Sequence, residues 1–219
     1  MTTTDSLAIA IARQHRRAAR LARATYAACA IGAVLLAACA SGSAVSYHGL
    51  EPIAPRAAAA AYDGPVVQLA AVQLPAGVDR DELVQELAPG RFQVLDGDHW
   101  LAPLGRLARQ TLAADLAARL PPGRSAFPGA AWPVAGAQLS VSVLSFSVRD
   151  GQAEMRASWS LRPLGNPTST APEALRGAQL ALQTPSSSSP AAIARAWSEL
   201  LAQLADRITA DLVASAPGA

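Results

Sequence analysis

Apolar and polar residues alternate most clearly between Leu139 and Arg162. Leu139, Val141 and Val143 alternate with serines, after which the phase slips and Leu144, Phe146 and Val148 carry the apolar face. Asp150-Gly151 reads as a two-residue hairpin turn of the primed type. Beyond it Ala153, Met155, Ala157, Trp159 and Leu161 alternate with polar residues. Closing the hairpin on that turn sets Val148 opposite Ala153, Phe146 opposite Met155 and Leu144 opposite Ala157. An uninterrupted ladder would then put Val143 against Ser158, on opposite faces. One extra residue at Val143/Leu144 brings Val141 opposite Trp159 and Leu139 opposite Leu161, so a β-bulge is predicted there.

Two stretches carry a helical period instead. Leu104, Leu107, Ala108, Leu112, Leu116 and Leu120 recur at three- and four-residue steps, with Arg106, Arg109, Asp115 and Arg119 on the other face, until Pro121-Pro122-Gly123 ends the helix. Ser186 to Ser189 supply an N-cap and Pro190 the first helical position. Ile193, Trp197, Leu200, Leu201, Leu204, Ile208 and Leu212 then form one stripe. Val66 to Leu74 reads as a buried strand stopped by Pro75, Tyr47 to Ile53 as a short first strand, and Arg91 to Asp96 as an alternating strand. Asp79 to Leu87, acidic in its first turn and stopped by Pro89-Gly90, reads as a short helix. The sum is an α/β fold in one domain: a mixed β-sheet of about five strands flanked by two long amphipathic helices.

The N-terminus follows a different pattern. Arg13 to Arg23 are positively charged, and Ala24 to Ala38 form an uncharged run of 15 residues, short for a bilayer span of about 20. This is the layout of a secretory signal peptide. Leu36-Ala37-Ala38-Cys39 look like a bacterial lipobox, which makes Cys39 the lipidation site. Residues 1–38 are then the lipoprotein signal peptide, 39–46 a lipidated tether and 47–215 the periplasmic domain. Several acyl chains on one cysteine suffice for stable anchoring. Ala40, where an aspartate would favour inner-membrane retention, points to the outer membrane.

Composition changes meaning once that segment is set aside. The chain has 219 residues, 51% hydrophobic, and a formal charge of +2 carried by arginine alone. The first 38 residues hold a surplus of four positive charges, which leaves the remainder at −2. The basicity therefore belongs to the signal segment and gives no argument for nucleic-acid binding. Cys29 falls in the discarded segment, so a mature chain of 181 residues would have no free thiol for a disulfide, a metal or nucleophilic catalysis.

Little else suggests chemistry. Asp96, Asp98 and His99 lack a fourth partner for a metal site and read as a solvated strand-to-helix turn in which Asp96 or Asp98 caps the helix. His48 reads as a partly exposed strand residue. No serine sits in a nucleophile elbow and no glycine-rich loop cradles phosphate. Trp159 and Trp197 lie on core faces, whereas Trp100 and Trp132 are flanked by turn residues and open to surface contacts. The chain reads as a non-enzyme without cofactor or metal.

Several segments follow one another in a familiar order. Behind the lipobox come Tyr47-His48-Gly49-Leu50-Glu51-Pro52, then Val72-Gln73-Leu74-Pro75, then Val78-Asp79-Arg80-Asp81-Glu82-Leu83-Val84, and then Asp98-His99-Trp100-Leu101-Ala102-Pro103-Leu104 opening a helix. This order resembles the PqiC-type, YmbA-like auxiliary lipoproteins of ABC transport systems. The resemblance implies an α/β domain anchored at the periplasmic face of the outer membrane. Its implied role is that of a non-catalytic partner of an MCE-domain protein, a permease and an ATPase that move lipids, including phospholipid, between the membranes. It also implies subunits able to assemble into homo-oligomeric rings. Only Cys39 receives a chemical role; Trp100 matches the family's tryptophan and is read as structural. His48-Gly49 departs from the usual aromatic or threonine residues. The alternative from another class is a structural or assembly lipoprotein of the envelope that handles no lipid.

Overall fold

The computed structural model describes residues 44–55, 61–88, 90–126, 136–164 and 178–215. Cys39, Cys29, Trp132 and most of the alanine run after Pro55 lie outside them.

Among the described residues eight strands and two helices follow in order: β1 (Ser46–His48), β2 (Val67–Gln73), β3 (Glu82–Ala88), β4 (Arg91–Trp100), α1 (Leu104–Arg119), β5 (Ser125–Ala126), β6 (Gly136–Arg149), β7 (Gln152–Leu164), β8 (Ala178–Pro185) and α2 (Pro190–Ala214). They form two sheets, ordered β1-β4-β3 and β5-β2-β6-β7-β8. In the larger sheet β2 runs parallel to both β5 and β6, while β6, β7 and β8 are antiparallel neighbours. In the smaller one β1 runs parallel to β4 and β3 antiparallel to it. The α/β class with a mixed sheet and two long helices holds. The expected mixed sheet of about five strands is the larger one, and a three-stranded sheet that was not expected accompanies it.

One hydrophobic core joins these elements. The two helices pack on each other, α1 also on β2 and α2 on β7 and β8. The whole expected stripe of α2 is buried, Trp197 to 1% exposure. Ser189 caps the helix, its Oγ accepting from the Ala192 amide at 3.3 Å, with Pro190 in the first turn.

The β6–β7 hairpin closes on Asp150-Gly151, both at positive φ (52° and 75°) as a primed turn requires. Val148 faces Ala153, Phe146 faces Met155, Val141 faces Trp159, and the register slips between Val143 and Ser145. The expected pairing of Leu144 with Ala157 is not made: Val143 takes that place and Leu144 is the surplus residue, half exposed. Both are apolar, so packing and not pattern decides which one is extruded. Beyond the bulge the phase suits α2, where Phe146 stacks on Trp197 with ring centroids 4.2 Å apart and planes 19° from parallel.

Residues 79–87 do not form a helix. Glu82–Ala88 is a strand paired with β4, with Leu83 fully buried and Ala88 opposite Arg91. Of Pro89-Gly90, taken for a helix stop, Pro89 lies outside the described residues, and Gly90 has φ 74°, a backbone region that favours glycine, directly before β4. Burial of Leu83 between neighbours outweighs the acidic first turn that suggested a helix. β4 is also longer than expected and absorbs Asp96, Asp98 and His99, so no solvated turn exists there. The capping carboxylate of α1 comes instead from Asp79, whose Oδ1 accepts from the Gly105 amide at 3.2 Å and complements the helix dipole.

Candidate functional site

Residues 46–53 join the rest of the domain through backbone and side-chain hydrogen bonds. Residues 46–53 carry little apolar periodicity, and β1 includes only two of the seven residues expected to form a strand, Tyr47 and His48. The segment is held by directional bonds to three different elements. Ser46, Tyr47 and His48 pair with Asp98, His99 and Trp100 of β4. His48 Nε2 meets Asp98 Oδ1 at 2.7 Å, and the Leu101 amide donates to the His48 carbonyl at 2.8 Å. The Glu51 amide then donates to Ser198 Oγ on α2 at 3.1 Å, and the Ile53 amide to Asp115 Oδ1 on α1 at 2.8 Å.

The last contact opens onto a buried ionic seam. Asp115 is fully buried and Arg119 is 4% exposed, although the helical pattern placed both on the solvent face of α1. Arg119 Nη1 donates to the Ile53 carbonyl (3.1 Å) and to the Asp115 carbonyl (3.0 Å), and lies 3.4 Å from Asp115 Oδ1. Its Nε donates to Asp206 Oδ1 on α2 at 2.6 Å. One guanidinium thus joins α1, α2 and the N-terminal segment 46–53, a role suited to the planar, multidentate arginine head. Burial pushes the Asp115 carboxyl up to about 6; the Ile53 amide and the Arg119 charge oppose this, and Asp206 adds to it. Asp115 Oδ2 faces no donor among the described residues.

These groups hold the chain in place through hydrogen bonds. Ser198 Oγ accepts from Glu51 and donates to the Ala194 carbonyl at 3.3 Å, so its hydroxyl is engaged on both sides. His48 is tied to Asp98. Among the described residues no three His, Cys, Asp or Glu side chains converge as metal ligands, and no helix is long and apolar enough to cross a membrane. Trp100 is buried at 5% exposure and Trp159 at 4%, both in the core. Sequence reasoning missed Asp115, Arg119 and Asp206; the one signal was that Asp115 and Arg119 share a helix face at a four-residue step.

A second feature lies at the strand turns. The ends of β3 and of the β6–β7 turn, with Ser186 to Ser188, line an open groove of about 600 Å³. Leu87 and Phe92 of the β3–β4 hairpin are exposed at 46% and 52%.

The family model described as an ABC-type transport auxiliary lipoprotein component matches residues 48–209. Among solved structures, an uncharacterized protein is similar with a TM-score of 0.63 and 18% identity, over 78% of this chain and 99% of that one. The crystal structure of protein XCC0632 from Xanthomonas campestris is similar with a TM-score of 0.56 and 16% identity, over 76% and 94% of the two chains. At such identities the likeness is one of fold. A search of curated proteins found no match.

Proposed function

Because the chain belongs to the ABC-type transport auxiliary lipoprotein family, we propose that it is acylated on Cys39, held at the periplasmic face of the outer membrane, and serves an MCE-type transport system as its non-catalytic lipid-transport subunit. In this reading the MCE-domain protein, the permease and the ATPase are its partners, phospholipid is the cargo of the assembly, and copies of this chain form a ring at the outer membrane. The observation that carries it is the family match beginning at residue 48, directly behind a lipobox and a short tether.

The stitched segment supports the same reading. An anchor on Cys39 pulls on residues 46–53, and those residues are bonded to β4, α1 and α2 and not left trailing. A tagged full-length protein extracted in mild detergent should bring down the MCE-domain protein and the transporter subunits. It should sediment with outer-membrane vesicles in a density gradient, and Cys39→Ala should release it from membranes. Purification without any MCE or ABC component would remove the main support for the transport role. Sedimentation with the inner membrane would overturn the placement.

A further inference from the structure

Three of the six large apolar side chains exposed among the described residues belong to one small surface: Val45 (52%), Tyr47 (66%) and Leu101 (69%). The β1–β4 register explains their grouping. Tyr47 lies opposite His99 and His48 opposite Trp100, so alternation sends His48 and Trp100 inward and Val45, Tyr47, His99 and Leu101 outward. The Tyr47 and His99 rings lie 5.8 Å apart. Gly49 leaves the space beside Leu101 open: a Cβ there would sit 4.0 Å from Leu101 Cδ2. The rim is a neutralised pair, Arg80 Nε to Glu82 Oε2 at 2.8 Å, Glu82 being the β3 neighbour of His99.

We propose that this face rests on the phospholipid surface and sets the orientation of the domain at the membrane. The proposal rests on acylation of Cys39, and chain length supplies the occupant. Six peptide units separate Val45 from Cys39, a reach of at most about 21 Å. The patch therefore stays within about the thickness of one leaflet with its headgroups from the acylated residue. A tyrosine flanked by aliphatic side chains suits that boundary, its ring in the apolar layer and its hydroxyl in the wet one. Tethering makes contact effectively intramolecular, so a face too small to hold a free protein on lipid can still orient an anchored one.

Acylated full-length protein carrying Leu101→Cys, labelled with a nitroxide, is reconstituted into vesicles of phosphatidylethanolamine and phosphatidylglycerol and compared with a Phe92→Cys counterpart. The ratio of collisions with oxygen to collisions with a polar nickel chelate should be at least about threefold higher at position 101, as expected of a side chain at the acyl boundary. Adding Val45→Ser and Tyr47→Ser should return it to the value at position 92 while the protein still floats with the vesicles. Equal ratios at 101 and 92 in floating protein overturn the proposal, as does a ratio at 101 that survives the two serines, which assigns the depth to the tether alone. Spin–spin broadening at 101 that vanishes on dilution with unlabelled protein assigns the patch to a second copy and overturns it too. Failure to float, with no acyl mass on the protein, overturns the acylation reading instead, and the proposal falls with it.

Discussion

The two helices close against the rest of the molecule in two chemically opposite ways. Toward the large sheet the contact is apolar: Trp197 stacks on Phe146, and Leu200, Leu201, Leu204 and Ile208 are buried together. Toward the N-terminal segment 46–53 it is polar, a seam of Asp115, Arg119 and Asp206 that grips the backbone of Ile53. The apolar half is non-directional and scales with buried area. The polar half is directional and holds a segment, Glu51-Pro52-Ile53, that has no stripe of its own to bury. Apolar burial makes the body of the domain; the ion pairs fix where the N-terminal segment leaves it.

Two truncations should separate these contributions. Trp197→Ala removes a fully buried indole and should cost about 3 to 5 kcal/mol, read as a lower urea midpoint with protection from hydrogen exchange lost throughout. Arg119→Ala leaves Asp115 buried without its counter-charge and the Ile53 carbonyl without its donor, and should cost about 3 kcal/mol. In addition, amide exchange at Ile53 should accelerate more than in the α2 core. A uniform loss of protection in both variants would erase the distinction between body and seam.

The seam has a pH signature that the apolar half lacks. Burial raises the Asp115 carboxyl from 3.8 to about 6, so between those values the folded protein holds more of this proton than the unfolded chain. Its contribution is therefore most favourable below the unfolded value and declines as pH rises through the window, by at most about 3 kcal/mol. Asp115→Asn removes the titration while its side-chain carbonyl still accepts from Ile53. Between about pH 4 and about pH 7 the stability of the Asn variant relative to the parent should rise by about 2 kcal/mol, measured from urea midpoints. A difference that stays constant with pH would show that Asp115 does not titrate in this range.

What the sequence revealed divides along the same line. Both long helices, the capped start of α2, the β6–β7 hairpin and the burial of Trp159 and Trp197 followed from periodicity and turn chemistry, because apolar burial writes itself into spacing. Asp115 and Arg119 did not, since a charge on an amphipathic helix carries no mark of a partner 62 or 66 residues away. β3 was misread for a related reason: the nine residues Asp79 to Leu87, with three acids in the first turn, fit a helical start, and only pairing with β4 makes Leu83 a core residue. β8 went unnoticed because Ala178 to Gln183 is alanine and glutamine with two leucines, a composition of low β-propensity. Its place is secured from outside, by β7 along its length and by a Thr184 to Glu199 hydrogen bond to α2.

The smallest effect expected tests the finest of these points, the bulge. Val143 is 4% exposed and Leu144 50%, so Leu144→Ser should change stability by no more than about 0.5 kcal/mol, whereas Val143→Ser should cost several times as much. Deleting Leu144 is the sharper experiment. Val143 already faces Ala157, and Ser145 already faces Arg156. Removing the residue between them leaves Val143, Phe146 and Val148 alternating inward without a break, so the ladder should close and the fold should survive with a flatter sheet. A chain that fails to fold without Leu144, while Leu144→Ser folds normally, would mean that the bulge supplies curvature needed to bring Phe146 onto Trp197. The apolar half of the molecule would then depend on a local backbone device as much as the polar half depends on Arg119.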